Sequence, residues 1–290
     1  MRPVQALNNQ PFLVAEDLSA IGTMSLGVAV PVLAAFGVPA AILPTQVLST
    51  QTECFGTPAK QYSPVWVKET MAHWQNEQIQ LSGGLIGYVG QVDLVNQLTQ
   101  SVKAQQLHPL IVDPVMGDGG ALYPGLSADY VAAMRTLVAI ADVITPNWTE
   151  AHLLAELPLN DNQPSQSDVA AMFAALTAIS GANTQIVITG IPSDNAILTA
   201  YRDGSKQRTV STKLRAGHFY GSGDVFSALL SAALMRGVSL ETAVKIAVKG
   251  DAISLDQTSV TGYQRRFGMQ LSQLLAWLSQ EVIPKLETMP

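Results

Sequence analysis

One alternation constrains this chain more than any other feature. Short apolar runs rich in β-forming residues lie at Phe12–Ala15, Ala40–Leu43, Gly84–Tyr88, Leu110–Asp113, Asp142–Thr145, Ile186–Thr189 and Ala196–Ala200. Between them, longer segments of helical period run over Met24–Phe36, Val92–Gln106, Ser127–Ile140, Trp148–Glu156 and Gln166–Ser180. Strand, helix and strand in succession make parallel crossover units, so the pattern predicts a doubly wound, mostly parallel α/β sheet flanked by helices. The segments "PLIVDP" and "QIVITG" are nearly all apolar, as strands covered on both faces must be. Residues 196–215 instead predict an antiparallel hairpin turning at Asp203-Gly204. After the hairpin the pattern is helical, over Gly223–Met235, Leu240–Leu255 and Gln264–Glu281. With no repeat, low-complexity tract or linker, residues 1–290 are read as one domain, and the irregular stretch 50–80 as a flap over a site.

At 290 residues and 48% hydrophobic, the chain can bury a large core. Its net charge of −6, with no basic stripe, argues against nucleic acid and acidic membranes, which leaves a small molecule as the expected partner. No apolar run reaches the roughly 18 residues a membrane span needs, and the N-terminal "MRPVQALNNQPFLVAEDLSA" holds no continuous apolar core of a signal peptide. The lone Cys54 excludes an internal disulfide and a cysteine zinc cluster, so a cytoplasmic protein is expected.

Open parallel sheets bind ligands beyond the carboxyl ends of their strands. Three strands end there in polar residues: "IVDPVMGDGG" offers Asp113 and Asp118, "VITPNWTE" offers Asn147 and Glu150, and "IVITG" offers Thr189 and Gly190. Carboxylates at Asp113, Asp118 and Glu150 on converging loops would repel without a cation, and oxygen ligands suit Mg²⁺; taken singly they read as loop acids and a helix cap. Farther on, "HFYGSGDVFSALL" surrounds Ser222 with Gly221 and Gly223, adds Asp224, and opens a helix. Either Asp224 is a first-turn acid, or the amides hold a phosphoryl group while Asp224 takes a proton from an attacking alcohol. No lysine follows the glycines and Phe226 stands where a third glycine would, so neither a P-loop nor a dinucleotide fingerprint is present.

Taken together and in order, "LPTQVLSTQT", "GYVG", "VDPVMGDGGALY", "ITPNWTEA" and "GSGDVFSALLSAAL" resemble the ribokinase-like fold, with its three layers, and within it the pyridoxal (vitamin B6) kinases. The resemblance covers most of the chain. It implies an ATP-dependent kinase acting on the 5′-hydroxymethyl of pyridoxal, pyridoxine or pyridoxamine, with ATP along the edge carrying Asp113, Asn147, Thr189 and Gly190, and Tyr123 near the phosphates. It further implies Mg²⁺ at Asp118 and Glu150, a monovalent cation such as K⁺, a homodimer, Asp224 as base and Gly221, Ser222 and Gly223 as anion hole. Thr45, Tyr88 and the end of the first strand would face the ring. There "LVAEDLSA" places Asp17 where better-known B6 kinases carry serine; a carboxylate can pair with a ring nitrogen, or Asp17 can be a turn residue. The rival reading is a hydroxymethylpyrimidine kinase, in which a cysteine often lies in or beside the glycine loop. A non-catalytic nucleotide-binding regulator is the alternative of another class, and would have lost the base or the metal carboxylates. His218, Cys54, Lys206, Arg208, Lys213 and Arg215 are read as structural or solvated.

Overall fold

The computed structural model describes residues 10–158, 163–204, 206–260 and 264–288. The first nine residues of the N-terminal stretch read above for a leader lie outside the described residues. Among the described residues the strands form a mixed, mostly parallel sheet of nine, with a separate two-stranded hairpin and flanking helices. The chain divides into two compact units, one made of Met1–Leu85 with Arg215–Pro290 and the other of Ile86–Leu214.

In the first unit, β1 (Phe12–Ser19) pairs in parallel with β2 (Ala40–Leu48), and β2 pairs antiparallel with the short edge strand β3 (Lys60–Tyr62). Helix α1 (Leu26–Ala35) crosses over from β1 to β2, as the alternation requires, and α2 (Pro64–Asn76) follows β3. Leu13 reaches Gly83, just before β4 (Gly84–Ile86), through a 2.9 Å hydrogen bond. Phe12 to Ala15 are fully buried, as an internal parallel strand should be. Opposite Asp17 the β1–β2 register slips: Glu16 faces Pro44 and Leu18 faces Val47, so Thr45 and Gln46 together oppose one residue. Such a bulge re-aims side chains at the end of a strand, and Asp17 and Thr45 are both buried at this one.

In the second unit the strand order is β11 (Lys206–Lys213), β10 (Ala196–Asp203), β9 (Gln185–Ser193), β8 (Val143–Ile144) and β5 (Leu110–Val112). The β5–β8–β9 ladder is parallel and β9–β10–β11 antiparallel, which places the expected hairpin at the sheet edge. Three amphipathic helices connect these strands, α3 (Val92–Ala104), α4 (Ala128–Val138) and α6 (Gln166–Ser180), with the short α5 (Trp148–Ala155) directly after β8. The β6–β7 hairpin (Gly117–Asp118 and Ala121–Leu122) is absent from the sequence reading, being too short for a period to register.

The C-terminal half of the first unit is helical, through α7 (Ser222–Met235) and α8 (Leu240–Val260). The single helix expected over 264–281 is instead three pieces: a 3₁₀ turn at Arg265–Phe267, α9 (Ser272–Trp277), and a π-helical turn at Leu278–Val282 that runs into α10 (Ile283–Thr288). Two residues cause this. Gly268, at φ 85° and ψ −154°, occupies a region reserved for glycine, and Pro284 cannot donate the backbone hydrogen bond that a continuous α-helix needs. Residues 50–80 are also more ordered than expected, since β3 and α2 occupy much of that span. Among the described residues no helix is long and apolar enough to cross a membrane.

Gly268 also clamps the loop after β1. Thr23 donates to the Phe267 carbonyl at 2.8 Å and accepts from Met269 at 2.9 Å, and a Cβ on Gly268 would strike the Thr23 backbone. Gly268→Ala is therefore expected to lower unfolding free energy by roughly 2–3 kcal/mol or more, read from urea denaturation. A midpoint unchanged from the parent protein would show that the clamp carries no stability.

Candidate active site

The chemistry-bearing residues of the first unit gather where β1 ends and α7 begins. Gly221 caps α7 at φ 91°, a left-handed conformation, and a Cβ there would lie 3.1 Å from the Thr23 oxygen. Both facts require glycine. Gly223 is different: it has an ordinary φ, and a Cβ would meet no protein atom, so its missing side chain leaves open space beside the helix start. Gly221 has no side chain to cap the amides of Ser222, Gly223 and Asp224, which together with the helix dipole make a site for an anion.

Asp224 is fixed by a residue that the sequence reading did not single out. The Ser25 amide donates to Asp224 Oδ2 at 2.6 Å, a short charge-assisted bond. The Ser25 hydroxyl bonds to Asp224 and also to Asp17, so it bridges the two acids. To do this Ser25 adopts φ 45° and ψ −125°, a strained backbone for a residue with a Cβ. Only positive φ at a non-glycine position could have pointed to it, and sequence alone does not report φ.

Burial pushes Asp17 up to about 7 from its ordinary 3.8; the Asp224 charge adds to the shift, while hydrogen bonds, chiefly from Ser25, oppose it. Asp224 is likewise raised, by desolvation first, with the Ser25 amide and hydroxyl pulling it back. Two acids bridged by one hydroxyl form a site that holds a proton near neutral pH, which suits a general base. Thr45 is buried opposite Asp17 at the bulge, on the same strand ends.

The second unit gathers the other polar strand ends. Asn147 caps α5 and forms a capping box with Glu150: Asn147 Oδ1 accepts from the Glu150 amide at 2.9 Å, and Glu150 Oε2 accepts from the Asn147 amide at 2.8 Å. Glu150 Oε1 accepts from the Met116 amide at 3.1 Å, and Asn147 Nδ2 donates to the Gly117 carbonyl at 2.8 Å. These bonds tie α5 to the β6–β7 hairpin. Thr189 bridges to Asn147, and Gly190 sits at φ 66° beside it. Tyr123 follows the hairpin, its amide donating to the Met116 carbonyl at 2.9 Å. Tyr88 lies past β4, within electrostatic reach of Tyr130, whose hydroxyl accepts from the Gly90 amide at 3.2 Å.

Asp113 and Glu150 are both buried, and Glu150 is raised well above the ordinary carboxyl range, by desolvation first and by the Asp113 charge next. Asp118, in contrast, is exposed on the hairpin, with Oδ1 accepting from the Gly119 amide at 2.7 Å. Among the described residues no group of three or more His, Cys, Asp or Glu is placed to hold a metal, so the expected convergence of Asp113, Asp118 and Glu150 does not occur. The physical reason is that the hairpin turns Asp118 outward while backbone amides bind both Glu150 oxygens. A neighbouring pair of buried acids still fits a hydrated Mg²⁺ whose other ligands come from phosphates.

The remaining candidates have structural partners. Cys54 Sγ lies 3.0 Å from the Tyr220 hydroxyl, His218 packs edge-on against Tyr220, and Arg215 is held on Asp256 at 2.7 Å.

Three comparisons with known proteins bear on this arrangement. The phosphomethylpyrimidine kinase family model matches residues 30–262. A hydroxymethylpyrimidine/phosphomethylpyrimidine kinase of Haemophilus influenzae is 30% identical over 196 residues, which are 63% of this chain and 69% of that protein. Among solved structures, pyridoxal kinase from Lactobacillus plantarum is 38% identical with a TM-score of 0.88, over 93% of this chain and 96% of the other. A candidate phosphomethylpyrimidine kinase from Bacteroides thetaiotaomicron, in a crystal form with pyridoxal, is 27% identical with a TM-score of 0.85, again over 93% and 96%.

The acid pair makes a prediction about stability. Because folding raises Asp17 from 3.8 to about 7, the native state keeps a proton that the unfolded chain releases. The stabilisation is complete below about pH 4 and is lost as pH rises through 7. Asp17→Asn should therefore flatten the fall in stability between pH 4 and pH 7, by roughly 4 kcal/mol at most. Parallel pH profiles for variant and parent would show that Asp17 is not protonated by burial.

With its strand order, its paired polar strand ends and its Gly-Ser-Gly-Asp helix start, the chain belongs to the phosphomethylpyrimidine kinase family of the ribokinase-like fold, a family of phosphotransferases.

Proposed function

We propose that the protein transfers the γ-phosphoryl group of ATP to the 5′-hydroxymethyl of a B6 vitamer, pyridoxal, pyridoxine or pyridoxamine. The observation that carries this reading is the Asp224 carboxylate held by Ser25 at the mouth of an uncapped helix start. A base and a set of amides side by side are what an alcohol needs to attack a phosphoryl group. The 38% identity to the L. plantarum pyridoxal kinase, over nearly the whole of both chains, favours a B6 vitamer as acceptor.

In this reading Asp224 takes the proton of the acceptor hydroxyl as the oxygen attacks phosphorus. The Ser25 amide keeps the accepting carboxylate oriented, and the amides of Ser222, Gly223 and Asp224 hold the charge that develops on the transferred group. Asp17, with Thr45 beside it, meets the ring nitrogen: protonated, it donates to a neutral pyridine, and ionised, it accepts from a pyridinium. Tyr88 is assigned to the ring, and Asn147, Thr189, Gly190 and Tyr123 to the nucleotide. Mg²⁺, when bound with ATP, neutralises phosphate charge, and Asp113 and Glu150 are the side chains that would hold it, with Asp118 at the periphery. The reading carries with it a homodimer.

A second reading is favoured by the family model and the H. influenzae relative: hydroxymethylpyrimidine as acceptor, through the same chemistry. ADP release with ATP·Mg²⁺ against pyridoxal, pyridoxine, pyridoxamine and hydroxymethylpyrimidine separates the two. The highest kcat/KM is expected on a B6 vitamer. A preference for the pyrimidine would assign the second reading, and no turnover on any acceptor with ATP still bound would make the chain a nucleotide-binding regulator.

A further inference from the structure

Behind the glycine loop stands an acid that the mechanism above leaves unused. Asp251, on α8, accepts the Ser222 hydroxyl with both carboxylate oxygens, at 3.1 Å to Oδ1 and 3.0 Å to Oδ2. Close packing of α8 on α7 brings it there: a Cβ on the preceding Gly250 would press on Leu229 and Leu274. A hydroxyl has one proton. Donated to Asp251, it is not available to an anion at the helix start, where the loop's donors are then amides alone.

We propose that Asp251 is a positioning residue for the Gly221–Gly223 loop, holding Ser222 by its hydroxyl and setting by its own charge how strongly the loop attracts phosphate. The groups that face it can be named. Arg215, in the segment before α7, lends its positive charge to Asp251 while its Nε donates to Asp256 and its terminal nitrogen to the Ala252 carbonyl. From α7 comes Ser222, with Asp224 two residues further on in the same first turn. On α8 itself, Asp256 is committed to Arg215, and Lys249 is turned to Glu281 and the Trp277 ring. Helix α9, "SQLLAW", brings no ionisable side chain. Desolvation raises Asp251 to about 7, with Ser222 and Arg215 pulling it down, so the acid changes charge near neutral pH. Neutral, it leaves the amides unopposed; ionised, it places a negative charge behind them. Phosphate affinity should therefore be higher below pH 7 than above it.

The inference rests on the phosphotransfer reading only for the identity of the anion, and ATP·Mg²⁺ is the probe. Wild-type protein that binds no ATP·Mg²⁺ would remove that reading, and with it the anion this inference assigns to the loop. With wild type binding, Asp251→Ala is expected to lower kcat/KM for ATP on the order of tenfold to a hundredfold, the scale of a misplaced catalytic loop. Ser222→Ala should lose a similar amount, and the double variant little more than the larger single one. Asp251→Asn keeps an acceptor for Ser222, so it should recover most of the turnover while losing the share of the ATP-affinity change between pH 6 and pH 8 that Asp251 supplies. Asp251→Ala within twofold of wild type, or strict additivity with Ser222→Ala, would overturn the proposal. If Asp251→Ala does not fold, an Asp251→Asn profile matching wild type across that pH range overturns it equally.

Discussion

A 2.6 Å hydrogen bond from the Ser25 amide to the Asp224 carboxylate joins two parts of the chain 199 residues apart in sequence, and the geometry of the first unit is built around it. The bond requires Ser25 to hold a strained backbone, which persists only if its surroundings over-determine it. They do so on both sides. Thr23 is clamped by the Phe267–Met269 backbone at a position where only glycine fits, and Gly221 lets the loop press against the start of α7. The β1–β2 bulge then delivers Asp17 to the same hydroxyl. Each device is modest alone, but together they bury two acids around one serine.

The second unit solves a different problem by local means. Its strand ends carry Asp113, Asn147 and Glu150, and the Asn147–Glu150 capping box uses each residue to satisfy the other's backbone. Because Met116 and Gly117 join the same network, the β6–β7 hairpin is placed by α5 and not by its own short ladder. Gly117 tolerates no side chain against Ala121, which ties the hairpin's shape to its sequence. The unit thus offers a rigid polar edge, with Asp118 left outside it.

The parallel strands were legible because burial on both faces leaves little but aliphatic residues, and the hairpin over 196–213 because Asp203-Gly204 interrupts an alternating run. Glycine loop, capping residues and acidic strand ends could be read for the same reason: their logic is local. Ser25 and Asp251 could not, since each matters through a partner far away in sequence, and nothing around "TMSLG" or "VKGDA" sets them apart. Edge strand β3 is fully exposed and α2 largely so, and weak hydrophobic patterning left them as an irregular stretch. The three-carboxylate cluster failed because proximity in a motif does not fix the direction of a hairpin side chain.

Fold and chemistry therefore meet at one group, the carboxylate that Ser25 holds. Single-turnover phosphoryl transfer by Asp224→Asn, with ATP affinity measured on the same protein, tests that assignment most directly. The account predicts ATP binding within about twofold of wild type and transfer slowed by roughly 10²–10⁴-fold, the range a positioned base supplies. Transfer at the wild-type rate would contradict it and leave Asp224 a structural acid at the start of a helix.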